Sequence, residues 1–209
     1  MKKNEFNYWN YFYKDKKFNS KINFPSQFAV FTLSKDINKN TLIEFGCGNG
    51  RDSHYLSNYY KKVLAYDLSE SVINDNVKKF KHIKNLKFFN QDIIEKFNLK
   101  FLKKYNKTIY ARFFLHTLTD KEIVIFTKVI SFILKKNEKV FLEYRTHLDK
   151  NIKKTFNNHY RNFLNPKKII NIFKKENFKN IYSQSSYGYA LFGKEDPHIS
   201  RQIFIKNVF

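Results

Sequence analysis

The chain has 209 residues, of which 42% are apolar and 19% aromatic, which suits one folded domain with a hydrophobic core and excludes a disordered segment. Its single cysteine, Cys47, excludes an internal disulfide and a thiolate-rich metal site. The net charge of +22 points to an acidic partner unless composition alone explains it.

The positive charge is spread along the chain. Only 5 of the 40 basic residues are arginine, and the joint abundance of lysine, asparagine, isoleucine and phenylalanine is typical of an A- and T-rich genome. We therefore favour solvated basic faces over a nucleic-acid groove, and nucleic-acid binding stays open as an alternative. No charge-free run is long enough to span a bilayer, and the N-terminus lacks the apolar stretch of a signal peptide, so we expect a cytoplasmic protein.

Residues 1–40 are predicted to form a helical, aromatic-rich lead-in or lid, and residues 41–209 the core of the same single domain. Pro25 is expected in the first turn of a helix that continues to Leu33, because the missing N–H of proline has no partner there.

Strand and helix patterns then alternate every 20 to 25 residues. Strands are predicted at Thr41–Phe45, Lys62–Asp67, Leu86–Asn90, Lys107–Phe114 and Val140–Tyr144. Helices are predicted at about Asp52–Tyr60, from Ser69, at Thr119–Leu134 and at Pro166–Glu176. Two β-like stretches, Ile181–Leu191 and Ser200–Val208, follow. This order predicts an α/β fold with a doubly wound, mostly parallel sheet.

Three of the five glycines, Gly46, Gly48 and Gly50, fall directly after the first predicted strand. Glycine lets the backbone approach a ligand closely and adopt positive φ, and the following helix directs N–H groups toward that place. The third glycine of a dinucleotide-binding G-x-G-x-x-G turn would stand at Arg51, and no phosphate-binding G-x-x-x-x-G-K-[ST] string exists.

The string that is present, E-x-G-x-G-x-G from Glu44 to Gly50, resembles the first motif of class I S-adenosylmethionine-dependent methyltransferases. Asp67 ends the second strand, where a carboxylate can accept hydrogen bonds from ribose hydroxyls. Asp92 follows the third strand. In the family an acid there accepts from the adenine amino group, and the next backbone N–H, that of Ile93, faces the ring. The resemblance assigns these residues to cofactor binding: Glu44, Gly46, Cys47, Gly48, Gly50, Arg51, Asp52, Asp67, Leu68, Asp92 and Ile93.

The resemblance covers most of the chain and is strongest for the small-molecule branch of the family. Y-A-R-F-F-L-H from Tyr110 and E-D-P-H-I-S-R from Glu195 are similar to methyltransferases of bacterial capsule biosynthesis, including those for the O-methyl phosphoramidate decoration. The family fold implies a seven-stranded sheet with an antiparallel C-terminal hairpin. S-adenosylmethionine is the implied cofactor and S-adenosylhomocysteine the product.

Some acceptors are excluded by missing residues. Methylation of exocyclic amino groups in this family uses an Asn/Asp-Pro-Pro-aromatic string, and the three prolines are never adjacent. Cytosine-C5 methylation needs a cysteine after the fourth or fifth strand, and Cys47 lies elsewhere. The six histidines show no i, i+4 pair, so no metal site is expected. RNA O-methylation stays open.

Arginine is the residue that indicates the acceptor, because it is rare here. Arg112 and Arg145 end the fourth and fifth strands, where they can bind a phosphate or carboxylate through two N–H groups. The alternative for both is an ion pair with Glu143, Asp92 or Glu44. His116 is the candidate base, with helix capping or packing as its alternative. Further candidates for the acceptor are His159, Tyr160 and Arg161, with a surface loop as the alternative for His159 and Arg161. Trp9 and Tyr13 are candidates for an aromatic lid, with core packing as their alternative.

The sequence thus predicts a methyltransferase that acts on a small anionic or sugar-linked acceptor, with Arg112 and His116 as catalytic residues. An RNA methyltransferase or nucleic-acid binder and a cofactor-binding scaffold without catalysis are the alternatives.

Overall fold

The structure is a computed structural model that describes residues 24–94, 100–151, 160–191 and 195–207. Most of the predicted lead-in, including Trp9 and Tyr13, lies outside the described residues. The chain divides into two compact units, Met1–Phe97 and Asn98–Phe209. A single domain over residues 1–209 therefore stays a prediction.

The described part of the first unit alternates helices and strands. In chain order these are α1 (Gln27–Lys35), β1 (Thr41–Phe45), α2 (Arg51–Ser57), β2 (Lys62–Asp67), α3 (Glu70–Lys79) and β3 (Leu86–Asn90). β1 pairs with β2 and β2 with β3, both in parallel. All three strands have the predicted bounds, whereas α2 ends three residues earlier than predicted. Every residue of β1 is buried, as expected for a strand covered on both faces.

Side-chain caps start two of these helices. Ser69 caps α3 by accepting a hydrogen bond from the Val72 N–H, as its position in the sequence predicted. Ser26 caps α1 through the Ala29 N–H. Pro25 therefore precedes the cap, and its predicted place in the first helical turn is wrong, because the helix begins at Gln27, after the capping serine.

The second unit holds the remaining strands and its helices. In chain order these are β4 (Lys107–Arg112), α4 (Asp120–Ile133), β5 (Lys139–Arg145), α5 (Pro166–Lys175), β6 (Phe178–Ser186) and β7 (Ile199–Lys206). β4 pairs with β5 in parallel, while β7 is antiparallel to both β5 and β6. The seven strands form one sheet in the order β3-β2-β1-β4-β5-β7-β6. The mostly parallel sheet with an antiparallel C-terminal hairpin is confirmed.

The short 3₁₀ helices were not predicted, and the bounds of β4 and β6 differ from the predicted ones. The 3₁₀ helices are Lys100–Lys104, Leu115–Thr117 and His147–Asn151. β4 ends at Arg112 because the next residue, Phe113, has a φ of 54°, which no extended strand accommodates. β6 begins three residues before the predicted Ile181 and ends at Ser186. No helix in the described ranges is both long and apolar enough to cross a membrane.

A buried ion pair closes the amino end of β4. The ammonium of Lys107 is fully buried, lies 3.0 Å from a carboxylate oxygen of Glu138 and donates to the Ile133 carbonyl at 2.9 Å. Glu138 also accepts the N–H groups of Lys107 and Lys135. Burial lowers the pKa of Lys107, and hydrogen bonding to Glu138 opposes that shift. The pair ties the end of α4 and the turn before β5 to β4.

We expect Lys107→Met to lower the free energy of unfolding by about 3–5 kcal/mol, because the substitution leaves the Glu138 carboxylate buried without its cation. Urea unfolding of the full chain would measure the loss.

Lys168→Met is the matched control, since Lys168 pairs with Asp120 while both side chains are more than half exposed. Its expected cost is below about 1 kcal/mol. Equal losses in the two variants would show that the buried pair contributes no more than a surface one.

Candidate active site

The glycine turn after β1 has the conformation that its sequence predicted. Gly46, Gly48 and Gly50 have φ values of 75°, 50° and 72°, which residues with a Cβ rarely adopt. A Cβ on Gly50 would also lie 3.0 Å from the Phe88 ring and 3.1 Å from the Phe80 ring. Conformation and packing therefore both require glycine at that position.

Asp67, at the end of β2, holds the turn. One carboxylate oxygen accepts the Gly48 N–H and the other the Ser69 N–H, each at 2.9 Å. Burial raises the pKa of Asp67, and these backbone hydrogen bonds oppose the shift. A carboxylate has about four acceptor positions, so the group keeps capacity for hydroxyl donors such as those of a ribose.

Asn76 is a further constituent of the turn that sequence analysis did not find. Its side-chain amide donates to the Gly48 carbonyl at 2.7 Å, and the residue is 2% exposed. It shares the buried face of α3 with Val72 and Ile73. A lone polar residue in that apolar stripe was the signal that could have indicated it.

Asn90, the last residue of β3, was also missed. Its amide donates to the Leu68 carbonyl at 2.8 Å and to the Asp67 carbonyl at 3.3 Å. The Gln91 N–H donates to the same Asp67 carbonyl at 3.0 Å. These bonds hold the segment that follows β2 against the segment that follows β3.

Asp92 and Ile93 lie just beyond β3, as predicted. Asp92 is half-buried and accepts the Ile94 N–H at 2.7 Å, which orients its carboxylate. The Ile93 side chain is buried. A fixed acid beside a buried apolar residue has the hydrogen-bonding and packing character that an adenine ring requires.

Other residues assigned to the cofactor hold the fold together. The buried Glu44 carboxylate accepts the Ser53 hydroxyl, which ties β1 to α2. Cys47 is buried, and burial, followed by the charges of Asp67 and Glu44, raises the pKa of its thiol well above the usual value. A thiol kept neutral in this way is a poor nucleophile.

Asp52 and Arg51 anchor the start of α1. The two oxygens of Asp52 accept the Ser26 N–H at 2.7 Å and the Ser26 hydroxyl at 2.6 Å. Arg51 donates to the Phe24 carbonyl at 3.3 Å. Their cofactor contacts stay predictions.

In the second unit, a buried carboxylate joins two of the arginines. Glu143 is 1% exposed, and its oxygens accept from Arg112 Nε at 2.9 Å and from Arg201 Nε at 2.7 Å. Burial raises the pKa of Glu143, and both guanidinium groups oppose that shift. Arg201 also donates to the Tyr189 carbonyl. Of the alternatives for Arg112, the ion pair with Glu143 is therefore present.

A second carboxylate cluster surrounds Arg145 at the end of β5. Arg145 donates to Asp149 at 2.8 Å and pairs with Glu195 through its other terminal nitrogen. Arg161 lies 3.6 Å from the same Asp149 oxygen. Asp149 is fully buried. Arg112, Arg145 and Arg161 are thus all ion-paired. For Arg145 the ion-pair alternative is correct in kind but not in partner, because Asp149 and Glu195 were not among the expected carboxylates, and no ion pair was predicted for Arg161.

Phe113 lies between the two arginine groups. Its N–H donates to the Glu143 carbonyl at 2.7 Å. The guanidinium carbons of Arg112 and Arg145 lie 4.2 and 5.7 Å from the centre of its ring, within the range of cation–π attraction. The ring also meets that of His116 edge-on, with centroids 5.4 Å apart. Phe113 thereby restrains all three side chains.

His116 is buried in the 3₁₀ helix after β4, with 5% of its surface exposed. Its Nδ1 accepts the Arg145 backbone N–H at 3.4 Å, and its carbonyl accepts the Asn162 N–H at 2.7 Å. The two predicted catalytic residues, His116 and Arg112, thus both contact the ring of Phe113.

Of the residues predicted to cover the acceptor, Tyr160 is 40% exposed and Arg161 is 9% exposed. His159 lies outside the described residues.

The late string from Glu195 to Arg201 meets the end of β5. Glu195 pairs with Arg145, and His198 Nδ1 lies 2.6 Å from the Thr146 hydroxyl. Burial lowers the pKa of His198. This string had been identified only as a family resemblance, and no role had been predicted for its residues.

No three His, Cys, Asp or Glu side chains in the described part of the chain are grouped as a metal site requires.

Comparisons with known proteins identify the family of the chain. A family model described as a methyltransferase domain matches residues 18–189. Phosphoethanolamine N-methyltransferase 3 of Arabidopsis thaliana is 31% identical over an alignment of 154 residues, and the match covers 70% of this chain and 29% of the plant protein.

Solved structures share the fold. A SAM-dependent methyltransferase from Anabaena variabilis aligns with a TM-score of 0.73 at 14% identity, over 96% of this chain and 93% of that one. The N-methyltransferase NodS from Bradyrhizobium japonicum, in complex with S-adenosyl-L-homocysteine, aligns with a TM-score of 0.66 at 15% identity, over 87% and 85% of the two chains. The chain therefore belongs to the S-adenosylmethionine-dependent methyltransferases with a Rossmann-like fold.

Proposed function

We propose that the chain transfers a methyl group from S-adenosylmethionine to a small acceptor with an anionic group, such as a phosphoramidate or a sugar-linked acid of capsule biosynthesis. The observation that supports this most is the set of arginines at the carboxyl ends of β4 and β5, the end of a parallel sheet at which ligands bind. The capsule role rests on sequence resemblance, and both this role and the cytoplasmic location stay predictions.

The first unit carries residues that fit the cofactor. The glycine turn leaves backbone room for it, Asp67 would accept from its ribose hydroxyls, and Asp92 from its adenine amino group. The bound cofactor supplies an electrophilic methyl group. The protein's own residues must bind and orient the acceptor, which raises the effective concentration of the attacking atom.

The arginine clusters favour an anion because of the chemistry of the guanidinium group. Four guanidinium groups, those of Arg112, Arg145, Arg161 and Arg201, are held by the carboxylates of Glu143, Asp149 and Glu195. A guanidinium fork matches two oxygens of a phosphate or carboxylate, whereas an ammonium does not.

The plant relative supports the same class of acceptor. Its named substrate, phosphoethanolamine, carries a phosphate, and the match covers 70% of this chain. The aligned region is 29% of that protein's length, so its substrate serves here as a first compound to test.

The test incubates the full chain with methyl-labelled S-adenosylmethionine and three groups of acceptors: phosphoethanolamine, phosphoramidate and sugar phosphates; their uncharged or phosphate-free counterparts; and RNA. Label in the first group alone supports the proposal. Label in the second group contradicts an anionic acceptor. Label in RNA, with binding that resists salt, would establish the nucleic-acid alternative, because dispersed lysines alone bind nucleic acid weakly and lose affinity steeply with salt.

Asp92→Ala should weaken the binding of S-adenosyl-L-homocysteine roughly 10- to 100-fold, because a hydrogen bond to a charged group is worth about 1.5–3 kcal/mol. Calorimetry measures the affinity. Asp75→Ala, at an exposed position of α3, is the matched control, and equal affinities in the two variants would remove Asp92 from the cofactor site.

Arg112→Lys should lower kcat/KM for phosphoethanolamine or phosphoramidate about 10- to 100-fold, since lysine keeps the charge and loses the fork of donors. The affinity for S-adenosyl-L-homocysteine should not change. Lys168→Gln, which breaks an exposed ion pair, is the control for both assays. An unchanged kcat/KM in Arg112→Lys would show that Arg112 serves only its ion pair with Glu143.

A further inference from the structure

Side chains hold both backbone polar groups of Gly48, in the middle of the glycine turn. The Gly48 N–H donates to the Asp67 carboxylate at 2.9 Å, and the Gly48 carbonyl accepts the side-chain amide of Asn76 at 2.7 Å. The Cys47 thiol, a weaker donor, lies 3.8 Å from the same carbonyl. Asp67 ends β2 and Asn76 belongs to α3, so the turn is attached both to the sheet and to a helix.

The turn needs such contacts because its own backbone preferences leave its conformation open. Glycine adopts positive and negative φ about equally readily, and glycines alternate with other residues along this turn. The observed φ values of 75°, 50° and 72° for Gly46, Gly48 and Gly50 are therefore accessible to these residues without being imposed on them. Hydrogen bonds from side chains outside the turn select this conformation.

The bond from Asn76 is formed in apolar surroundings. Asn76 is 2% exposed, and it shares the buried face of α3 with Val72 and Ile73, which belong to a hydrophobic cluster. A backbone carbonyl in such surroundings has lost its water and requires a donor from the protein. Asn76 supplies that donor, so the orientation of the Gly48 carbonyl depends on it.

Loss of this donor would favour rotation of the peptide group that contains the Gly48 carbonyl, because the carbonyl could then regain a hydrogen bond to water. The torsional freedom of glycine permits such a rotation. A cofactor that binds along the turn would first have to restore the original conformation. The apparent affinity would fall in proportion to the fraction of molecules that hold this conformation.

We propose that Asn76 is a positioning residue that determines the affinity of the chain for S-adenosylmethionine by fixing the Gly48 carbonyl. This inference rests on the proposed function, in which the glycine turn binds the cofactor. Because its side chain is almost completely covered by protein, Asn76 acts through Gly48 and not by touching the cofactor. It differs in this respect from Asp67, which is also expected to accept from the ribose hydroxyls.

Asn76→Asp tests the donor, because it exchanges the amide nitrogen for an oxygen at nearly unchanged volume. An ionised carboxylate cannot donate to the Gly48 carbonyl, whereas a protonated carboxyl group donates its O–H. Burial and the charge of Asp67 should raise the pKa of an aspartate at this position above its ordinary value of about 3.9. Relative to the wild-type chain, the affinity for S-adenosyl-L-homocysteine should be almost unchanged at about pH 5 and about tenfold lower at about pH 8.

The ratio to the wild-type affinity at each pH removes the effect of other titrating groups, since both chains contain them. The titratable groups around this position are Asp67, the Cys47 thiol, the exposed Glu70, Asp75, Lys78 and Lys79 of α3, and the exposed Lys87 of β3.

Asn76→Leu has no donor at any pH and should lose about tenfold in affinity at both pH values. A purely structural role would not distinguish the two variants at low pH, whereas a donor role predicts that only the aspartate variant recovers there.

Asn85→Asp is the matched control. The Asn85 amide donates to the Ser57 and Tyr60 carbonyls at 2.8 and 3.0 Å, so the same exchange removes bonds of the same kind. Asn85 precedes β3, at the edge of the parallel sheet opposite the glycine turn. We expect a lower midpoint of urea unfolding for this variant and an unchanged affinity for S-adenosyl-L-homocysteine.

Calorimetry on the full chain measures these affinities without any acceptor, after urea unfolding has shown that each variant is folded. A wild-type chain that does not bind S-adenosyl-L-homocysteine would count against the proposed function. If the wild-type chain binds, three results would each overturn the inference: wild-type affinity in Asn76→Leu, a ratio for Asn76→Asp that does not fall as the pH rises, or an equal loss in Asn85→Asp. Should Asn76→Leu not fold, the pH dependence of Asn76→Asp decides alone.

Discussion

The geometry of the second unit depends on the buried carboxylate of Glu143. Moving a carboxylate out of water costs several kcal/mol unless well-placed cations compensate. Arg112 from β4 and Arg201 from β7 do so, each through Nε. Glu143 is directly opposite Arg112 in the parallel ladder and opposite Arg201 in the antiparallel one. A shift of one residue in either ladder would bury an unpaired charge, so the ion pairs specify the strand register and also fix both guanidinium groups.

Asp67 organises the first unit by a different kind of interaction. Its charge is met by the N–H dipoles of Gly48 and Ser69 instead of cations. The group therefore stays an anion that can accept further hydrogen bonds, as the hydroxyls of a ribose require. The second unit uses the other kind of interaction, since its buried carboxylate Glu143 is met by the guanidinium cations of Arg112 and Arg201.

The sequence predicted what local patterns determine. β1, β2 and β3 have the expected bounds, and three glycines predicted the turn, because strand ends and positive φ depend on neighbouring residues. Most contacts between distant positions do not follow from such local patterns, although the Arg112–Glu143 ion pair had been considered as an alternative. The Arg201–Glu143 pair spans 58 positions and the Asn76–Gly48 bond 28, and only the folded sheet and helix bring them together. β4 ended early for a related reason: Phe113 leaves the extended conformation and bonds to β5, which no property of a phenylalanine in an apolar run indicates.

Because of the composition of the chain, the positions of the arginines indicate more about a ligand than the net charge does. With 40 basic residues and a net charge of +22, a lysine at any surface position is the ordinary outcome of this composition and says little about a ligand. Arginine is scarce, yet four of the five arginines lie in two ion-paired clusters with buried carboxylates. Arginine is costly to replace there because its planar fork can bind a carboxylate through one edge and present other N–H groups elsewhere. The carboxylates in turn fix the orientation of the arginines.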